Sequence, residues 1–133
     1  MKDLPRYDFP AISDAGDEER RVGPRLEEAS FGESVIQEEV LYEDVGGEWR
    51  KGEWGERIGM VRLIQSPTTV GGKVLLRAWF LFDDGTTAEY AGLVPGEGTW
   101  QGEGELGFRG GTGKFEGRRG HLHVESVNPK RWG

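Results

Sequence analysis

From residue 35 onward, apolar and polar side chains alternate with a period of two, and glycine, proline or aspartate interrupts the pattern at short intervals. A period of two places successive side chains on opposite faces, so each such run predicts a strand with one face buried. Strands are predicted over 35–45, 56–65, 73–82, 87–94, 99–108 and 121–127. Asp83-Asp84-Gly85-Thr86 between two of them is a hairpin signal, since Asp-Gly readily adopts the positive φ of a tight turn. Gly110-Gly111-Thr112-Gly113-Lys114-Phe115-Glu116-Gly117-Arg118-Arg119-Gly120 is too rich in glycine for a helix. It predicts a sharp corner that turns Phe115 inward and launches the last strand. The spacing suits about seven or eight short strands with no helix between them, an antiparallel up-and-down meander. Closing it into an eight-stranded barrel removes the exposed edges, so the fold class is all-β with a single barrel.

Parity assigns the inward face. On 73–82 the inward set is Val74, Leu76, Ala78, Phe80 and Phe82, joined by Trp100, Leu106 and Phe108. On 121–127 it is Leu122, Val124 and Ser126, which leaves His121, His123 and Glu125 outside. On 35–45 the more apolar parity is Ile36, Glu38, Val40 and Tyr42, and the other is Gln37, Glu39, Leu41 and Glu43.

Residues 1–34 break the pattern. Tyr7, Phe9, Ile12, Val22, Leu26 and Phe31 are scattered among charges, and Pro5, Pro10 and Pro24 preclude a long helix. The chain therefore divides into an N-terminal extension, 1–34, and a barrel domain, 35–133. The extension reads either as a disordered acidic tail or as a lid docked over the barrel mouth, and six sizeable apolar residues, more than a solvating tail needs, favour the lid.

A net charge of −7 argues against nucleic acid and anionic membranes as partners. The absence of cysteine removes disulfides, thiolate metal sites and cysteine nucleophiles. With no apolar leader at Met1–Arg6 and no run long enough to cross a bilayer, a cytoplasmic protein is expected. Ser–His–Asp spacing, a P-loop and HExxH are all missing, and His121 with His123 lacks a convincing third metal ligand. No metal site is expected.

The Gly110–Gly120 segment resembles the GGTGxFxGxxG segment of the allene oxide cyclase and dirigent β-barrel superfamily. The resemblance extends through Phe80-Leu81-Phe82-Asp83-Asp84-Gly85 back to Tyr42-Glu43 and covers about residues 36 to 127. It implies an allene oxide cyclase-like barrel, and among bacterial members it points to spirotetronate and spirotetramate [4+2] cyclases, some of which carry an N-terminal lid. The resemblance also implies that Glu43 faces the cavity, against the parity that periodicity favours. Its implied function is a cofactor-free, Diels–Alderase-like cyclase of natural-product biosynthesis that folds a linear apolar polyene. Glu43 and Tyr90 would be the catalytic pair, with Leu41, Leu76, Ala78, Phe80, Phe82, Trp100, Phe108, Leu122 and Val124 binding substrate. Alternatives are an allene-oxide-type cyclase or isomerase that leans on Glu43, and a dirigent- or lipocalin-like barrel that only binds. The resemblance further implies a homo-oligomer, a dimer or trimer.

Overall fold

In the computed structural model the described residues are 7–15, 21–22, 32–69, 73–95, 103–126 and 129–133. They form nine strands, β1 (Ala11–Asp14), β2 (Arg21–Val22), β3 (Val35–Glu43), β4 (Arg57–Pro67), β5 (Lys73–Phe82), β6 (Thr87–Pro95), β7 (Glu103–Gly111), β8 (His121–Glu125) and β9 (Lys130–Trp132). No α-helix occurs among the described residues, only short 3-10 turns at Trp49–Lys51 and Gly113–Phe115. From β3 to β9 each strand pairs antiparallel with the next in sequence. β1 then pairs antiparallel with both β3 and β9, which closes an eight-stranded barrel, while β2 flanks β3 beyond the end of β1. The all-β barrel expected from the alternation is the observed fold.

Its closing stave comes from an unexpected place. Ala11–Asp14 lies inside the stretch assigned to the extension, yet it sits between β3 and β9 with Ala11, Ile12 and Ser13 fully buried. The three-residue β9 was not foreseen either. Of the expected strand at 99–108, residues 99–102 lie outside the described residues and the rest belongs to Glu103–Gly111; of that at 121–127, His121–Glu125 is strand, Ser126 leaves it, and residue 127 lies outside the described residues.

Two bulges shape the barrel. The register between β3 and β4 slips between Leu41 and Tyr42, and that between β6 and β7 slips between Glu89 and Tyr90. An extra residue on one strand increases local twist and re-aims its neighbours. Gly59, beside the first bulge, is required by crowding: a Cβ there would lie 2.4 Å from the Leu81 carbonyl oxygen. The Asp-Gly hairpin forms as expected, with Gly85 at φ +91° and the Phe82 N–H donating to the Thr86 carbonyl at 2.9 Å.

The core is the barrel interior, and alternation along each strand fills it. Val74, Leu76, Ala78, Phe80 and Phe82 all point inward from β5, as parity requires, and Leu122 and Val124 do so from β8. On β3 the buried residues are Val35, Glu39 and Leu41, so the more apolar parity (Ile36, Val40, Tyr42) faces out. Periodicity misleads there because Glu39 is buried with a cation rather than exposed.

Candidate functional site

The barrel has two different halves. One end carries the start of β1, the β5–β6 hairpin and the glycine corner, and its interior is aromatic. Phe80 packs edge-on against Trp132 with ring centroids 5.0 Å apart, and Phe82 stacks on Phe115 at 5.3 Å. Tyr90 meets Phe108 edge-on at 5.3 Å. The glycine corner does what its sequence predicts: Phe115 is fully buried, and Gly113 takes φ +60° where a Cβ would strike Thr86 Cγ2 at 2.5 Å. Only glycine accepts both that backbone angle and that approach.

Toward the other end the interior turns polar. Glu39 Oε2 accepts a hydrogen bond from Lys130 Nζ at 2.6 Å, and Glu39 Oε1 accepts one from Ser13 Oγ at 2.7 Å. Trp132 Nε1 donates to Ser13 Oγ at 2.8 Å, and Gln37 Nε2 donates to Glu39 Oε2 at 3.3 Å. These bonds join β1, β3 and β9 across the closing seam. A buried ion pair contributes little net stability compared with packed hydrocarbon, because desolvating both charges costs about what their attraction returns. Its geometry instead fixes which strands meet.

Tyr90 is where the aromatic end gains chemistry. Arg118, within the glycine corner, donates to Asp8 Oδ1 at 3.1 Å, and its guanidinium lies near enough to the Tyr90 hydroxyl to act on its ionisation. Burial raises the Tyr90 phenol above its usual 10.0, the Arg118 charge and hydrogen bond pull it back in part, and the Asp8 charge adds to the rise. For Asp8, burial works against the charged form, but the Arg118 and Phe9 N–H hydrogen bonds outweigh it. With the charges of Arg118 and Lys114, they hold the carboxyl below its usual 3.8. The hydrogen bond to Asp8 raises Arg118 above the usual guanidinium range despite partial burial. The result is a neutral phenol among rings, with a permanent cation nearby. A phenol whose oxygen already accepts from a guanidinium is a stronger donor of its own proton.

A short segment caps this end. Phe9 lies edge-on to Phe80 at 4.8 Å and to Tyr90 at 5.7 Å, and Tyr7 lies edge-on to Phe82 at 6.4 Å. Arg118 sits 4.8 Å over the Phe115 ring, and Lys114 Nζ is 5.4 Å from the same ring.

The residues singled out from sequence separate into groups. Leu41, Leu76, Ala78, Phe80, Leu122 and Val124 stand together inside, each no more than 3% exposed, so no water-sized space adjoins most of their surface. Phe82 and Tyr90 are buried at the capped end, where Phe108 is half-buried. Glu43 ends β3 at the same end, half-buried beside Gly55, where an added Cβ would meet its Oε1 at 2.9 Å. Three strand steps around the barrel separate β3 from the β6 of Tyr90, and the polar group on the phenol is Arg118. Trp100 lies outside the described residues. Sequence reasoning missed Asp8, Arg118, Glu39 and Lys130. Glu39 shares a face with Leu41, but only the resemblance, and not periodicity, favoured that face.

The molecule is thus a small closed β-barrel with an aromatic end built around a buried tyrosine that has a guanidinium nearby. No protein-family model matches the chain, and no curated protein is significantly similar to it in sequence. Among solved structures, pyocyanin demethylase superposes with a TM-score of 0.62 at 15% identity, covering 92% of this chain and 94% of that one. At that identity the likeness is one of fold, and the neighbour is a barrel enzyme. No helix among the described residues is long and apolar enough to cross a membrane.

Proposed function

We propose that this chain is a barrel enzyme that takes a small, largely apolar conjugated substrate at its Tyr90 end and cyclises it without a cofactor. The reaction proposed is an intramolecular [4+2] cycloaddition. Such a step balances within the substrate: two σ bonds form at the expense of two π bonds, and no proton, electron or leaving group is exchanged. Restraining the reacting carbons in a folded conformation contributes most of the rate, on the order of several kcal/mol in favourable intramolecular cases. The Tyr90 hydroxyl would donate to a conjugated carbonyl, with Arg118 polarising the phenol. The observation that carries this reading is the buried Tyr90 among Phe80, Phe108 and Phe115, with the partly exposed guanidinium of Arg118 beside it. The glycine-corner resemblance and the fold shared with a barrel enzyme support it. In this reading Phe9 swings aside to admit substrate and then covers it, excluding water.

The test is turnover of a linear conjugated triene bearing an enone, followed by loss of polyene absorbance. Tyr90→Phe is expected to slow the protein-dependent rate by roughly ten- to a hundredfold, the range of a hydrogen bond to a polarised oxygen. Glu43→Gln is expected to change it by no more than about twofold. A collapse on Glu43→Gln with Tyr90→Phe unaffected would favour allene-oxide-type electrostatics instead. An unchanged rate in both, at the uncatalysed level, would leave a barrel that only binds.

A further inference from the structure

The cap has a composition of its own. Asp8 and Phe9 are neighbours in sequence, and they put a carboxylate and a ring into one place. The Phe9 ring sits within 6.0 Å of four others: Phe80 at 4.8 Å, Tyr90 at 5.7 Å, and Phe82 and Phe115 at 6.0 Å. The Asp8 carboxylate meets the guanidinium that acts on the Tyr90 hydroxyl. We propose that this end is a seat for a planar ring or conjugated system bearing an anionic oxygen, carboxylate or enolate, and that Asp8–Phe9 is the protein's own occupant of it. The inference rests on the reading that substrate enters at Tyr90 and names the class of substrate that enters.

Charge points the same way. Remove Asp8, and Arg118 remains over Phe115 with Lys114 Nζ 5.4 Å from that ring and 5.7 Å from Phe82. Lys114 makes no ion pair among the described residues. Arg118 is then left without its counterion, and Lys114 over the same aromatic floor keeps only the charge of Asp84 nearby, in a chain of net charge −7. An incoming anion restores what Asp8 supplied, and its ring replaces Phe9. A neutral hydrocarbon would leave the guanidinium uncompensated.

The electrostatic part of the hold on the occupant is light. Residues 7–10 form no strand. The ion pair that fastens them is about a third exposed on each side, at 37% and 36%, and pairs open to solvent contribute little. An occupant that must leave first weakens the apparent affinity for any ligand by the fraction of time the seat is vacant. Vacating the seat therefore strengthens binding.

The probes are 2-naphthoate and its neutral amide, 2-naphthamide, titrated calorimetrically into the full chain, with Tyr90 ring resonances reporting position. Phe9→Ala empties the ring position, and Asp8→Asn removes the competing carboxylate with little change in shape, so one variant remains informative if the other fails to fold. Each is expected to bind naphthoate about tenfold or more tightly than the unaltered protein. Naphthoate is expected to exceed naphthamide by about tenfold in both. Arg118→Gln in the Phe9→Ala background should erase that preference while the amide still binds. Equal affinity for acid and amide, with both shifting Tyr90, would overturn the anionic class and leave the proposed cyclase standing. Naphthoate bound no more tightly by Phe9→Ala or Asp8→Asn than by the unaltered protein would overturn the role of the occupant. Folded variants in which neither compound shifts Tyr90 would overturn this inference together with the proposed function.

Discussion

Tyr90 and Glu39 are both polar groups inside an apolar barrel, and the neighbours of each decide what it can do. For Tyr90, burial raises the phenol and Arg118 lowers it, with burial the stronger. An ultraviolet titration should show one tyrosine ionising above the usual 10.0, and Arg118→Gln should move it higher still. Because the folded state favours the neutral phenol, it binds the proton more tightly than the unfolded chain does. Stability contributed this way is intact below the unfolded pKa of 10.0 and is lost as pH rises through the folded one, so a melt should weaken on the alkaline side. Glu39 has the opposite solution, a cation at 2.6 Å. Lys130→Met alone leaves a buried carboxylate uncompensated and should cost about 3–5 kcal/mol in denaturant unfolding. Adding Glu39→Leu should recover most of that, because the pair's value lies in mutual compensation. The inward place of the β5 residues could be read from alternation alone. The place of Glu39 could not, because its partner is 91 residues away in sequence and periodicity treats any carboxylate as exposed.

At the scale of elements, length decided what could be read. β4, β5 and β6 run for 11, 10 and 9 residues, long enough for a period of two to declare itself. β1 and β9 have 4 and 3 residues and offer no period to recognise. β1 also lies in an acidic, proline-broken stretch that resembles a tail by composition, and only its two partners make it a strand. Deleting residues 1–14 separates a stave from a detachable cover. With β1 as the closing stave, the deletion should leave β3 and β9 with open edges and abolish a cooperative thermal transition, with aggregation in size-exclusion chromatography. A barrel that melted cooperatively without those residues would contradict this role. Gly59 is the corresponding test at the first bulge: Gly59→Ala forces a Cβ into the Leu81 carbonyl and should destabilise by at least about 2 kcal/mol, in the range of buried overpacking.

For the whole molecule, the barrel is a wall with two uses. Its polar half locks the seam through Ser13, Glu39, Lys130 and Trp132, and its aromatic half presents one polarised hydroxyl under a short cap. The Gly110–Gly120 corner was legible because glycine at that density has few other uses, and it positions both Phe115 and Arg118. The role of Arg118 was not legible, since beside Arg119 it looks like solvated surface and only the fold brings Asp8 and Tyr90 to it. The central claim is that a guest displaces Phe9 and binds against Tyr90. A crystal structure of the protein with the triene enone tests this most directly. The account predicts ligand density between Phe80, Phe108 and Phe115, the carbonyl within hydrogen-bonding distance of the Tyr90 hydroxyl, and Phe9 moved from its 4.8 Å contact with Phe80. Phe9 unmoved, with ligand bound only on the outer face of the barrel, would contradict it.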